Sequence, residues 1–527
     1  MMETLESQKV ISIGGLNSTV NHLMLSDYEP GSAVELVNFE SSLYGGYRRL
    51  SGFLPFSEGA PEVDPSGAEG PILGVAFYGD SLFAARKQKA GNTYDFYTYS
   101  GSTWTKLPTA FTKSSVGVLR IRHREFNFNG TPKIVFTDGV NPGMVYDGVT
   151  WTQILIAGSG ASYAAAGGNQ TIDNPEYVEV FRNHVFFGKD HLVCHSSPLS
   201  EYDWTAAGGA GQIPIGYSIN QLKPFRDELY VFGVTQIKKV SVSGTDFVLN
   251  DVTTQIGCLA GDSVQEVDGN LVFLSQDGFR PISGTDYIGD VNLETLSRKI
   301  QQLVTSEAET NDMTQLTSVL IRSKSQVRFF FSSPSKSTNA TYGIVGCIRA
   351  GQDGATSWEW GRIKGIRASC CVSKYIGPTE YIIHGDYNGK VYRQEQGNSF
   401  DGAAVQAIYK TPYLDFGEAG VRKTMKRIRL FIRPEGQCTI STNLTYDWAN
   451  TEKLNPDTYS FDGATEGAVY GQAIYGVSTY ATTTTPVLVT NVEGSGNSVQ
   501  MAYTTYDTKS PYTIQGALYD FTVEGRK

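Results

Sequence analysis

The chain has 527 residues, too many for one ordinary hydrophobic core, so a large repeat-built domain with a smaller companion is expected. Its 57 Gly are about 11% of the chain against a usual level of about 7%, and aromatic residues reach 12% while charged residues stay at 18%. That is the balance of a turn-rich β protein. The formal charge of −10, from 53 acidic against 43 basic residues, leaves no overall footprint for gripping nucleic acid, though a mildly acidic wall does not stop DNA from sliding past.

In chain order, residues 1–10 are polar, with Glu3, Glu6 and Lys9, and do not read as a signal peptide. No stretch approaches the roughly 18 apolar residues of a membrane span. A cytosolic protein, or one in a particle assembled there, is expected. Strands within 9–20 or 43–56 are expected to help close the domain that follows, leaving residues 1–69 as closing strands and loops.

From residue 70 a repeat emerges. Tyr99-Ser-Gly-Ser-Thr-Trp104-Thr-Lys-Leu107 returns as Tyr146-Asp-Gly-Val-Thr-Trp151-Thr-Gln-Ile154, 47 residues later. The first copy resolves into strands at 72–78, 82–86, 94–99 and 103–107, joined by turn residues such as Gly79-Asp80, and four antiparallel strands in about 40 residues make one propeller blade. A short apolar strand recurs near residues 82, 134, 185, 229, 271, 327 and 381. The fold is therefore expected to be all-β, with a β-propeller over 70–403. About seven blades fit, and the irregular spacing leaves six or eight open. A β-sandwich assembly or stacked barrels would also give short strands at this density.

One segment departs from the pattern. Leu293, Leu296, Ile300, Leu303 and Val304 fall at helical spacing behind Asp290 and Asn292, so a single inserted helix is expected near 290–309. After about residue 400 the period is lost, and alternating segments such as Lys426-Arg-Ile-Arg-Leu-Phe-Ile-Arg433 predict a smaller, β-sandwich-like domain over 404–527. Its basic stretch, Arg422, Lys423, Lys426, Arg427 and Arg429, stands out in an acidic chain as a solvated strand face or a contact for an acidic ring protein. The glycine-rich stretches 158–168 and 463–496 read as loops.

Chemistry is sparse in the sequence. His191-Leu-Val-Cys-His195 would hold zinc on a helix, but on a strand the two rings stand about 13 Å apart. Asp138-Gly-Val-Asn141 and Asp386-Tyr-Asn-Gly389 lack the full calcium-loop pattern and read as turns. Asp147-Gly-Val-Thr-Trp151 is similar to the Asp-box turn of sialidase-type propellers. The six cysteines, at 194, 258, 347, 370, 371 and 438, form no C-x-x-C pair and read as buried thiols. No residue is assigned to catalysis, cofactor or metal, and the chain reads as non-enzymatic. Paired carboxylates for glycoside hydrolysis are the alternative that distances alone decide.

Two regions carry a resemblance. The opening, Gly14-Gly15-Leu16, Glu29-Pro30-Gly31, Asn38-Phe-Glu and Gly45-Gly46-Tyr-Arg48-Arg49, joins a middle containing Pro175-Glu-Tyr-Val-Glu-Val-Phe-Arg182-Asn183 and Phe225-Arg-Asp-Glu-Leu-Tyr-Val-Phe-Gly233. Together they resemble the tail nozzle, tail tubular protein B-like and DNA-stabilisation proteins of short-tailed phages, from the start to about residue 448. The resemblance implies a hexameric ring of propeller subunits in the virion tail, assembled in the host cytoplasm. Such a ring docks below the portal and an adaptor ring, lines the last part of the DNA channel without tight DNA binding, and touches tail fibres or spikes. The rival expectation is a glycan-binding propeller lectin or glycoside hydrolase.

Overall fold

The computed structural model describes residues 5–56, 70–88, 91–100, 103–154, 172–244, 246–282, 295–335, 337–350, 356–451, 455–463 and 486–524. The glycine-rich stretch 158–168 and most of 463–496 lie outside them.

The fold is all-β, and its larger part is a propeller. Blade 1 comprises Ile72–Tyr78, Ser81–Lys87, Tyr94–Ser100 and Thr103–Leu107. Blade 2 runs Arg122–Phe128, Thr131–Thr137, Gly143–Tyr146 and Trp151–Ile154. Blade 3 spans Tyr177–Phe181 to Gly211–Pro214, and blade 4 Ile219–Phe225 to Asp246–Thr253. Blade 5 has three strands, from Gln265–Val267 to Gly278–Pro281. Blade 6 is built from Ala368–Ile376, Thr379–Asp386 and Val391–Gln394, and its fourth strand is Phe53–Pro55 from the start of the chain.

Between blades 5 and 6 lies a four-stranded meander, Thr317–Ile321, Gln326–Phe331, Tyr342–Ala350 and Thr356–Lys364, which belongs to a larger sheet. Counting it, every one of the seven recurrent apolar strands of the sequence is the second strand of its unit. That strand is flanked on both sides, so it reads as a near-continuous apolar run. The paired tryptophans occupy matching places: Trp104 faces Tyr99 and Trp151 faces Tyr146 across the outer hairpin of blades 1 and 2. Each turns toward the preceding blade. Trp151 stacks on Phe96 of blade 1 at 4.4 Å between ring centroids, and Trp104 meets Phe56 beside the closing strand of blade 6.

Closure is by the N-terminal segment, as expected for 43–56. Phe53 to Pro55 pair with Gln394 to Tyr392, and Phe53 stacks on Phe400. Residues 5–11 do something else. Leu5–Ile11 runs antiparallel to Tyr512–Glu524 in a sandwich sheet that also holds Arg422–Pro434, Phe39–Ser41, Tyr47–Arg49 and Val487–Asn491. Facing it is the far half of the nine-stranded sheet, with Val405–Lys410, Val499–Asp507, Thr439–Tyr446 and Tyr459–Asp462. Met425, Ile428, Leu430 and Ile432 from one sheet meet Ile440, Leu444, Met501 and Tyr503 from the other in one core.

The short strand Glu35–Val37 joins the two bodies. It pairs in parallel with the meander at Arg362 and antiparallel with Val405–Lys410, so one sheet runs from the propeller into the sandwich. Gly15 makes the neighbouring approach at φ +71°, where a Cβ would lie 2.7 Å from the backbone nitrogen of Trp360. A buried ionic cluster locks the same seam. Arg328 on the meander donates to Gln326 (2.8 Å), Gln394 (2.9 Å) and Glu40 (3.1 Å) and pairs with Glu395, while Lys324 and Arg48 serve both carboxylates. Burial alone would raise the Glu40 carboxyl, but Lys324, Arg328 and Arg48 outweigh it, and Glu395 too is held below the ordinary range.

The expected helix is present in part: Gln301–Thr310 is α-helical behind a 3-10 turn at Arg298–Ile300, with Ile300 and Val304 buried, and 290–294 lie outside the described residues. A second helix, His22–Tyr28, has no counterpart in the sequence reading. It is under two turns long, too short to show a period, and is started by Asn21, whose side chain accepts from the Leu23 amide at 3.0 Å.

Candidate functional site

A concavity of about 590 Å³ lies at the seam between blade 6 and the sandwich. Its placement follows from turns. Asp401-Gly402 has positive φ at both residues (51° and 86°), the requirement of a two-residue type I′ hairpin turn, and Phe400 and Ala403 exchange both backbone hydrogen bonds across it. Asp401 is thereby carried to the rim, where it accepts from the Tyr392 hydroxyl at 3.1 Å and lies 3.5 Å from Lys390 Nζ. Asp386 ends the strand Thr379–Asp386 and accepts from the amides of Asn388 and Lys390, both at 2.9 Å, around Gly389. It is the turn residue its sequence suggested. Similar capping of a turn, one residue tighter, occurs at Asp138, which accepts from Val140 and Asn141, and at Asp147, which accepts from Val149 and Thr150.

Burial raises the Asp386 carboxyl above its ordinary value, the direction a proton donor needs. His384, enclosed by Phe53 and Tyr392, is pushed down to about 3 by burial and is neutral at physiological pH. Phe400 and Tyr506 add aromatic faces, the latter 76% exposed. Two carboxylates, a guanidinium (Arg367) and one exposed aromatic, Tyr506, beside one cavity can bind a polar ligand with planar apolar faces, such as a sugar. Tyr506 and the Asp401-Gly402 turn were not singled out from sequence, although the Asp-Gly pair was a legible signal.

The basic stretch lies on the strand Arg422–Pro434 and is divided by the fold. A bulge between Met425 and Arg427 reverses the alternation, so Met425 and Ile428 both face the core. Lys423 is 4% exposed and turned inward, donating to the carbonyls of Glu418 and Asn497. This differs from a solvated strand face. Arg427 (2.7 Å) and Arg429 (2.9 Å) grip the carboxylate of Asp520, which also accepts from Ser7. Arg422 donates to Ser495 at 2.9 Å from Nε and lies 3.7 Å from Glu524. The exposed members are Arg422 and Lys426.

All six cysteines are free thiols, five of them buried. Among the described residues no group of three or more His, Cys, Asp or Glu side chains is arranged to hold a metal ion, and no helix is long and apolar enough to cross a membrane.

No protein-family model matches the chain, and no curated protein matches it significantly. Among solved structures it is similar to an ancestral GH74 enzyme, at 11% identity and a TM-score of 0.38 over 67% of this chain and 52% of that one. It thus spans about half the length of that enzyme. A glycoside hydrolase family 43 arabinoxylan arabinofuranohydrolase from Bacillus subtilis, in complex with cellotetraose, is similar at 11% identity and a TM-score of 0.25 over 89% and 98%. Sqt1 of Saccharomyces cerevisiae is similar at 9% identity and a TM-score of 0.34 over 66% and 98%. At these identities and TM-scores none of them assigns an activity to this chain. Two of the three are enzymes. The expectation of a non-enzymatic chain is withdrawn, because neither a propeller nor a missing short motif is a ground for excluding catalysis.

Proposed function

We propose that the chain is a ring-forming structural subunit of a short phage tail, six copies of which enclose the passage for genomic DNA below an adaptor ring and present fibres or spikes. The observation that carries this reading is where its resembling phrases fall. Gly14-Gly15-Leu16, Asn38 and Arg48-Arg49 form the stitch between propeller and sandwich: the Leu16 amide donates to the Trp360 carbonyl (2.7 Å), the Asn38 side chain donates to Lys364 (3.0 Å) and Gln406 (2.7 Å), and Arg49 donates to the carbonyls of Lys509 and Asp507. A subunit whose two bodies share one sheet has no hinge there, which suits a wall that carries load during DNA passage. Mass measurement of the purified protein and of tails is the test. A closed ring of about six copies is expected, with no sub-micromolar, salt-sensitive affinity for duplex DNA. A protein that stays monomeric in assembled particles, or is absent from them, overturns the reading.

A second reading is favoured by the seam cavity, where Asp386, Asp401, Phe400 and Tyr506 converge: a glycan ligand, bound or hydrolysed. Binding to a panel of oligosaccharides that is lost in both Asp401→Asn and Tyr506→Ala, with the ring intact, would establish it. No binding by the wild type would remove it.

A further inference from the structure

The propeller axis is a separate feature and does not rest on either reading. Arg120, Arg122 and Arg124 alternate along the entry to blade 2 and line a cavity of about 290 Å³ between the inner strands. Arg120 donates to the carbonyls of Leu316 (2.7 Å), Gln315 (3.0 Å) and Ser369 (3.0 Å) and pairs with Asp262, tying blades 2, 5 and 6 and the meander together. Arg122 shares Asp262 at 2.9 Å, and Arg124 is engaged by Glu179.

Two further cations, Lys223 and Arg322, line the same cavity. Lys223, from the inner strand of blade 4, has no hydrogen bond or salt bridge to its ammonium among the described residues, with Glu179 and Glu266 as the carboxylates that act on it from a distance. Among the described residues the Arg322 side chain, beyond the inner strand of the meander, reaches only Ser373 Oγ, at 3.4 Å, while its backbone amide donates to Glu380. Arg124 spends three of its five N–H groups, on Glu179 and on the His123 carbonyl. Counting Glu176, 3.6 Å from Arg122, together with Asp262, Glu179 and Glu266, five cations face four carboxylates around this cavity. Protein surrounds Lys223 even though the cavity is open to water, and desolvation, with Arg124 and Arg322 nearby, pushes its pKa down to about 8. An unpaired cation beside other cations is costly to keep, and an anion relieves that cost.

We propose that this axial cavity binds a small tetrahedral oxyanion of the phosphate class, held by Lys223, Arg322 and the spare N–H groups of Arg124. A volume of about 290 Å³ suits a small ion. The test is titration of the full chain with inorganic phosphate against chloride at matched ionic strength, by calorimetry and by thermal unfolding at about 10 mM ligand. One site per chain is expected, and Lys223→Met and Arg322→Ala should each weaken it by about tenfold or more, the loss of one charge-assisted hydrogen bond. Arg322 is exposed, so its variant reports on binding even if Lys223→Met fails to fold. No saturable phosphate binding by the wild type, or the same affinity in the folded variants, overturns the proposal.

Discussion

Replacing Arg328 by Met tests whether the seam between propeller and sandwich is held by its buried charges. The change removes a guanidinium that contacts Glu40, Glu395, Gln326 and Gln394 and keeps an apolar stem of similar length. Breaking a buried ion pair by deleting one partner costs about 3–5 kcal/mol, and because Lys324 and Arg48 still neutralise the two carboxylates, the lower end, about 3 kcal/mol, applies here. The sign with pH follows from the carboxylates. Glu40 and Glu395 have folded pKa values below their ordinary 4.5, so their contribution is complete above 4.5 and is lost as pH falls through the folded values. Without Arg328 those folded values move up, so the wild type's advantage is full at neutral pH and shrinks in acid. Urea unfolding followed by tryptophan fluorescence, at about pH 7 and about pH 3, measures both. Equal midpoints at neutral pH, or a deficit of the same size at both, would refute the reasoning.

Phe53→Ala removes the buried ring stacked on Phe400 and set edge-on to Tyr392 and His384, a loss of about 3–5 kcal/mol that should appear as faster hydrogen exchange in Val391–Gln394 while the sandwich stays protected. Uniform loosening of the whole chain would contradict closure by that strand. Asp520→Asn leaves Arg427 and Arg429, each about one-third exposed, to share a neutral amide, and with solvent screening about 1–2 kcal/mol should be lost, detectable as a lowered thermal midpoint. An unchanged midpoint would show that the pair of arginines is held by packing alone. Arg422→Glu combined with Lys426→Glu should fold normally and impair tail incorporation, whereas Lys423→Glu buries a carboxylate against two carbonyls and should fail to fold. A well-folded Lys423→Glu protein would show that the strand tolerates the opposite phase.

Much of the propeller was legible because blades repeat a local pattern. The apolar second strand and the aromatic pair across the outer hairpin are set by neighbours within about 50 residues, and each recurrence landed on the equivalent strand. What joins the bodies was not legible, since Glu35–Val37 is three residues long and its partners lie more than 300 residues away. Lys423 was misplaced for a local reason: one bulged residue shifts the two-residue period by one, and alternation counted straight through it assigns the wrong face. The seam cavity depended on an Asp-Gly turn meeting a blade closed by the first part of the chain, a coincidence of tertiary structure that no motif records. Arg120, Arg122 and Arg124 are spaced two apart at the entry to blade 2, a signal legible in the sequence.

The pairing of Leu5–Ile11 with Tyr512–Glu524 sets the order in which the molecule is completed on the ribosome. Ser7 and Asp520, which share a hydrogen bond, are separated by 513 residues, so at about 5–20 residues per second the first strand emerges roughly half a minute to nearly two minutes before its partner exists. Blades 1 to 5 are made of contiguous sequence and are free to form in turn during that interval. The sandwich and the seam are not, and throughout synthesis the nascent chain presents one unmatched strand edge, which makes this early segment the place where a chaperone or a neighbouring nascent copy has the longest opportunity to bind.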